Sequence, residues 1–301
     1  MRNFKQDEVK TSPDAKTAAA FSSSWNNLPL GSIYTKDQVE DWFAPLDLND
    51  LKDKEVLELG CGGGNLMVHI LDYGPAKLVG VDLGESVVTA KNNIAATGKN
   101  NASVLQDDLC TFSSEGFDLV YCIGVLHHLK KPYEGFCSVL RNTRPGGYFH
   151  CWVYAYEGNS IIRLCVEPLR RLCSKLPWWL TKYFVATPLA ALYYCYAKTL
   201  HLLPAGIGEH FPLGTYSLWI AKREFAFFRH VAFDQLVTPQ TVYIKKGTIE
   251  DWLSRNDLVA PGTTYIIQRN GNSWKFGGRR TSVAGKKEAV GTAQSLCNNL
   301  N

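Results

Sequence analysis

Val56-Leu57-Glu58-Leu59-Gly60-Cys61-Gly62-Gly63-Gly64 decides the fold of this chain. A short run of apolar and acidic residues suited to a strand passes straight into a glycine loop, and a helical pattern comes next. Glycines at 60, 62 and 64 remove the Cβ atoms that would hold the backbone away from a ligand, and they permit the positive φ values that a tight strand-to-helix turn demands. The helix after the loop aims its free N–H groups at whatever occupies the turn. The stretch reads as a nucleotide-cofactor site, with a plain tight βα turn as the alternative.

The neighbouring sequence favours the first reading. Residues 78 to 82, Leu-Val-Gly-Val-Asp, have the pattern of a second buried strand ending in a carboxylate, at the distance expected of the next strand in a βαβ unit. Asp82 is then placed to accept hydrogen bonds from ribose hydroxyls, or more simply to cap the next helix. A helix from near Asn65 stops at the breaker pair Gly74-Pro75. A second, from about Ser86 to Ala96, stops at Gly98 and carries Val87, Ala90 and Ile94 on one apolar face. This alternation implies an α/β domain with a parallel sheet covered on both faces, its ligand loops all at the C-terminal edge.

The loop itself separates two cofactor classes. A dinucleotide fingerprint wants a third glycine where this chain has Asn65. Glu58, Gly60, Gly62 and Gly64 instead make E-x-G-x-G-x-G, which resembles motif I of the class I S-adenosylmethionine-dependent methyltransferases. The resemblance continues in order. Asp82 matches the family's ribose-binding acid, and Gln106-Asp107-Asp108-Leu109 matches the segment whose Asp bonds the adenine amino group, with Asp107 the better aligned of the two acids. Phe117 to Cys122 matches strand 4, and Val125-Leu126-His127-His128-Leu129 resembles the segment after that strand in the type 11, ubiquinone-biosynthesis-like branch. Arg144-Pro145-Gly146-Gly147 stands where that branch has Lys-Pro-Gly-Gly, leading into strand 5 at Tyr148 to Val153. The resemblance covers roughly residues 51 to 155. It implies a Rossmann-like seven-stranded methyltransferase sheet and S-adenosyl-L-methionine as cofactor, held by Glu58, Gly60, Gly62, Gly64, Asp82, Asp107, Asp108, Leu109 and Cys122.

The remainder of the chain is atypical. Residues 1–50 read as an N-terminal helical segment whose aromatics, Phe21, Trp25 and Tyr34, either close over the cofactor or pack on the sheet. The closing helix of the core is expected at Thr248 to Leu253, capped and acidic in its first turn, with strand 6 at Thr263 to Arg269 and strand 7 at Ser273 to Phe276. That leaves 156–246 as an insertion of about 90 residues after strand 5, far beyond an ordinary connection. It is rich in Trp, Tyr, Phe, Lys and Arg and poor in acids. Such a segment suits a lipophilic, aromatic or anionic substrate, or a membrane face. It could be a lid, an interfacial contact through 178–203, or a dimer interface. The core closes over 247–280, and 281–301 reads as a disordered tail.

Composition bounds the function. Of 301 residues 46% are hydrophobic and 20% charged, enough for one full α/β domain and a substantial addition. A net charge of +4 falls short of the concentrated positive field of a nucleic-acid binder. The nine cysteines form no C-x-x-C pair and read as buried thiols of a reducing cytosol, and the polar N-terminus has no apolar leader. No His, Cys and carboxylate spacing suggests a metal site.

The expected activity is methyl transfer to a small hydrophobic or aromatic acceptor. A sulfonium methyl is already activated, so the enzyme mainly aligns a nucleophile, with a base needed only where a proton must leave. His127, just after strand 4, is the expected base. Tyr154, Glu157, His210 and Tyr216 are weaker candidates, and the histidines at 69, 150, 201 and 230 read as structural. A cofactor-binding scaffold without catalysis and a nicotinamide-dependent oxidoreductase are the competing readings.

Overall fold

The computed structural model describes residues 12, 14–25 and 34–282. The expected tail from 283 onward and most of the polar N-terminal stretch lie outside the described residues. Seven strands form one sheet: β1 (Glu55–Leu59), β2 (Lys77–Asp82), β3 (Ala102–Gln106), β4 (Phe117–Ile123), β5 (Thr143–Tyr154), β6 (Tyr265–Arg269) and β7 (Ser273–Arg279). Their order is β3-β2-β1-β4-β5-β7-β6. The first five are parallel, and β7 runs antiparallel between β5 and β6.

The helices in chain order are α1 (Ala15–Trp25), α2 (Lys36–Phe43), α3 (Asn65–Ile70), α4 (Ser86–Ala96), α5 (Pro132–Asn142), α6 (Glu167–Cys173), α7 (Thr187–His201), α8 (Gly214–Ile220), α9 (Phe225–Val237) and α10 (Lys246–Ser254). Alternation along the strands builds two apolar layers. Leu57, Leu59, Val79, Val81, Val120 and Cys122 face α5 and α10 through Phe136, Leu140 and Trp252. Val56, Leu78, Leu119 and Tyr121 face α2, α3 and α4 through Phe43, Met67, Ile70 and Ala90. Each fully buried aliphatic or aromatic side chain in these layers contributes about 1.5–3 kcal/mol relative to exposure.

Three boundaries differ from expectation for identifiable reasons. The helix α10 starts at Lys246, before Thr248, with no side-chain cap. Its acids instead pair one turn away, Glu250 with Lys246 and Asp251 with Arg255, both at 3.3 Å. The strand β6 begins at Tyr265, because the Thr263 Oγ1 accepts the Arg279 N–H at 3.0 Å and closes the turn. The strand β7 runs on to Arg279, since Gly277 and Gly278 let the ladder continue against β5; a Cβ on Gly277 would lie 2.4 Å from the Phe149 carbonyl oxygen.

The chain leaves the sheet after Tyr154 and comes back to it at Ile244. Ala155 and Ile244 form a bridge in which the Ile244 N–H donates to the Tyr154 carbonyl at 3.0 Å and the Tyr156 N–H donates to the Ile244 carbonyl at 2.9 Å. Everything between is a helical excursion that starts and ends at the C-terminal edge of β5. Its helices have their own apolar centres, one around Ala190, Ala197, Ile220 and Phe228 and another around Cys173, Ala186, Phe233 and Leu236. Arg170, expected at a basic surface, is buried instead. Its guanidinium donates to Glu167, to the Gln235 carbonyl and to the Gln235 side chain, each at 2.6 Å. Two of the thiols expected to be buried, Cys165 and Cys195, are exposed on this excursion, and no disulfide forms among the described residues.

Candidate active site

A cavity of about 510 Å³ opens at the C-terminal edge of the sheet and runs from the glycine loop to the inner wall of the excursion. Gly60, Cys61, Gly62 and Gly63 form one end of it. All three expected glycines take the left-handed conformation, with φ of 85° at Gly60, 51° at Gly62 and 73° at Gly64. A Cβ on Gly60 would lie 2.4 Å from Val125 Cγ2. Gly60→Ala is therefore expected to cost about 1–2 kcal/mol from the backbone alone and to weaken cofactor binding; chemical denaturation and calorimetry with S-adenosylhomocysteine would read the two effects separately.

Asp82 ends β2 beside this loop. Its Oδ2 accepts the Gly62 N–H and its Oδ1 the Gly84 N–H, both at 2.8 Å, and Ser86 Oγ lies 3.3 Å from Oδ1. The carboxylate thus braces the glycine loop as well as facing the cavity, and burial raises its pKa against the pull of those two amides. Glu58 is buried, accepts the Tyr121 hydroxyl at 2.9 Å, and is pushed up to about 8 by burial, with the charge of Asp82 adding to the rise.

The helix α1 covers this end. Asp14, Thr17, Ala18 and Phe21 line the cavity, the Ser22 Oγ accepts the Ser86 N–H at 3.2 Å, and the Asp14 carboxylate accepts the Lys130 N–H at 2.9 Å. Of the aromatics named for this segment, Phe21 and Tyr34 reach the cavity.

Several expected site residues lie elsewhere. Asp108 and Leu109 line the cavity and Asp107 does not; the Asp107 Oδ1 instead accepts the Asp108 N–H at 2.7 Å, which corrects the preference between the two acids. Gly64 stands behind the lining, where a Cβ would meet the Ala90 Cβ at 3.0 Å, so it serves the close approach of α3 and α4. Strand alternation turns Cys122 into the apolar layer, and Ile123 and Gly124 reach the cavity in its place.

His127, the expected base, does not reach the cavity. It is fully buried. Its Nδ1 accepts the Tyr154 N–H at 3.4 Å, its Nε2 has no partner, and burial, with the neighbouring His128 and Arg170, holds its pKa well below the ordinary value. His128 is the histidine in the wall. A carbonyl can only accept, so the contact of 3.0 Å from its Nδ1 to the Gln240 oxygen places the proton on Nδ1 and leaves the Nε2 lone pair free. Burial lowers its pKa to about 3. Tyr154 lines the cavity with its hydroxyl accepting from Gln235 Nε2 at 2.8 Å, and Tyr216 lines it further out. Glu157 is engaged by the Trp274 indole at 2.9 Å, and neither it nor His210 lines the cavity, whereas His230 does.

The excursion supplies the far wall with Leu189, Tyr193, Trp219, Phe227 and Phe228 among others. None of its lysines or arginines lines the cavity. Across the whole lining five carboxyl groups, at 14, 58, 82, 108 and 234, face one arginine, Arg269. A compartment with this excess of acids at the glycine-loop end suits a cation, and glycines that leave no Cβ suit a close-lying ligand. S-adenosylmethionine, a sulfonium carried on a nucleoside, fits both features. No group of side chains that could hold a metal ion occurs among the described residues.

Comparison with known proteins bears on the domain that holds the glycine loop. The family model for the methyltransferase domain matches residues 57–149. A tRNA U34 carboxymethyltransferase of Helicobacter acinonychis is 30% identical over 129 residues, covering 41% of this chain and 49% of that protein. A ubiquinone biosynthesis O-methyltransferase of Coxiella burnetii is 34% identical over 99 residues, covering 32% of this chain and 42% of its own length. The chain thus spans about half or less of the curated relatives it matches. Among solved structures, the magnesium protoporphyrin IX methyltransferase of Synechocystis aligns over 87% of this chain and 93% of that one at 14% identity, with a TM-score of 0.49. Residues 57–149 are a methyltransferase domain, and its family is the class I S-adenosylmethionine-dependent methyltransferases.

Proposed function

We propose that this chain transfers a methyl group from S-adenosylmethionine to a small, largely apolar acceptor held beneath the excursion. The observation that carries this reading is the continuity of one cavity from Gly60 and Asp82 to the aromatic wall at Trp219 and Phe227. When bound, S-adenosylmethionine supplies an electrophilic methyl on sulfur. The protein's part is to hold, orient and exclude water. Asp82 and the loop amides hold the nucleoside, the carboxylates near the loop match a positive charge, and α1 covers the site from solvent.

His128, in the turn after β4, and Tyr154, at the end of β5, are polar groups of the cavity wall. With Nδ1 committed to Gln240, His128 offers Nε2 as an acceptor for an incoming hydroxyl proton, and its low pKa keeps it neutral throughout the physiological range. His128→Ala is expected to slow turnover of a hydroxyl acceptor roughly 100-fold, the low end for an acid–base group. Cofactor affinity should stay unchanged, and no histidine limb should appear between pH 5 and 8. Turnover equal to wild type would remove His128 from this role.

The excursion supports a second contact. Trp178, Trp179, Tyr183, Phe184, Leu192 and Leu202 are exposed on 178–203, beside Lys182 and Lys198. No helix among the described residues is long and apolar enough to cross a membrane. An interfacial contact of these side chains with an anionic bilayer fits this surface. Sedimentation with anionic vesicles, lost in a Trp178→Ser, Phe184→Ser double variant, would support it; the same sedimentation by both proteins would count against it.

The test of the main reading is incubation of the full chain with methyl-labelled S-adenosylmethionine and a whole-cell extract, separated afterwards into small molecules and RNA. Label in a small organic-soluble product supports it. Label only in tRNA, the acceptor named for the Helicobacter relative, would replace the small acceptor with RNA.

A further inference from the structure

The far end of the cavity holds a group of buried donors that the cofactor reading does not use. Arg269 closes β6 at the ligand edge of the sheet and is 6% exposed. Its Nε is bound to Asp41 Oδ2 at 2.5 Å, while its Nη2 has no partner. The guanidinium lies 4.8 Å from the ring centre of Trp219. Two indole N–H groups in the same wall, Trp42 Nε1 and Trp152 Nε1, are also buried without partners, and the two rings lie 6.1 Å apart. Trp42 follows Asp41 on α2, which links the indole pair to the Arg269–Asp41 contact, and all three donor side chains belong to the lining of the same cavity.

Buried N–H groups are rarely left unsatisfied, because each costs about 1–3 kcal/mol in lost hydration. Three such donors on side chains that line one cavity call for an acceptor-rich group from outside the chain. Its charge follows from the local balance. Asp41 alone is ion-paired to two buried cations, Arg269 and Lys275, the latter 3.6 Å from Asp41 Oδ1 with its ammonium donating to the Asp41 carbonyl at 2.5 Å. These three side chains therefore carry one excess positive charge between them. One engaged nitrogen leaves the terminal edge of a single guanidinium, which suits a monoanionic carboxylate; the carboxyl group of Asp234 in the same cavity disfavours a dianionic phosphate.

The distance across the sheet favours the acceptor over the methyl donor as the owner of this carboxylate. From β1, which carries the glycine loop, the sheet order places β6 four strands away, roughly 19 Å at ordinary strand spacing. Asp82 and Asp108 follow β2 and β3, on the opposite side of β1. The nucleoside end thus points away from Arg269.

We infer that the acceptor is an aromatic or aliphatic acid, its carboxylate held by Arg269 with the Trp42 and Trp152 N–H groups and its apolar body against Trp219, Tyr216 and Phe227. This rests on the small-acceptor reading above. The test uses the full chain saturated with S-adenosylhomocysteine and compares calorimetric binding of 2-naphthoate with that of its neutral counterpart, 2-naphthamide. The acid is expected to bind roughly tenfold more tightly. Arg269→Gln should abolish that preference while leaving S-adenosylhomocysteine affinity intact, and Trp42→Phe, which retains the ring, should reduce it. Equal affinity for acid and amide, or no binding of the acid, overturns the inference. A loss of S-adenosylhomocysteine affinity in Arg269→Gln overturns it too, by giving the arginine to the cofactor's own carboxylate. Failure of the wild-type chain to bind S-adenosylhomocysteine at all would instead remove the underlying methyl-transfer reading.

Discussion

Asp82→Ala is expected to lower S-adenosylmethionine affinity roughly 100-fold, because a hydrogen bond to a charged group is worth about 1.5–3 kcal/mol and this carboxylate has two separate tasks. One is to face the cavity in which the cofactor is proposed to lie. The other is internal: Oδ2 and Oδ1 hold the Gly62 and Gly84 amides, so removing the carboxylate unties the glycine loop from the end of β2. Asp82→Asn separates the two tasks. Its single amide oxygen can accept one of the two N–H groups, while its NH₂ opposes the other, so affinity should fall nearly as far. Calorimetry against S-adenosylmethionine gives both values, and an unchanged affinity in either variant would sink the assignment.

Mild acid should destabilise the protein strongly. Three buried histidines, at 127, 128 and 150, and the half-buried His230 are held neutral by desolvation, with pKa values lowered to about 3 for His128 and to about 4 for His150 and His230. A histidine whose folded pKa lies below its unfolded value near 6.5 takes up its proton first in the unfolded chain. Its contribution is full above about pH 6.5 and is lost as pH falls toward the folded pKa. Glu58, raised to about 8, works the other way: its contribution is present below its unfolded value and is lost as pH rises toward 8. Asp82 and Asp14 are also raised by burial and share that sign. Four histidines outweigh Glu58 between pH 7 and 5, where unperturbed aspartates stay ionised, so the net loss is on the order of 3 kcal/mol. Urea midpoints measured at the two pH values should fall with acid. A flat or rising midpoint would contradict this account of the buried rings.

The parallel core was legible because its signals are local. Alternation in Val56 to Leu59, breakers at Gly74-Pro75 and Gly98, and the carboxylate ending β2 each depend on a few adjacent residues. The site was legible only in part, since facing is a property of the sheet. A shift of one position decides whether a strand residue meets the ligand or the core. Cys122 and Ile123 differ in that way, as do Asp107 and Asp108, and His127 and His128 in the turn after β4.

Arg269 and Trp42 carried no motif at all. Their role depends on α2 meeting β6 through Asp41, a contact spanning 228 positions of sequence. The excursion was readable as aromatic and basic but not as to which of these faced inward. Part of its aromatics, among them Tyr193, Tyr216, Trp219, Phe227 and Phe228, line the cavity, whereas its lysines and arginines lie outside the lining, which accords with the hydrophobic or aromatic acceptor expected.

The most direct test of a methyl-donor site opening onto an acceptor compartment is a crystal structure of the full chain with S-adenosylhomocysteine. The account predicts the ligand between Gly60–Gly63 and Asp82, its sulfur end toward His128 and Tyr154, and the space before Trp219 left for the acceptor. Ligand bound outside this cavity, or lying across the aromatic wall with no contact to Asp82, would contradict it.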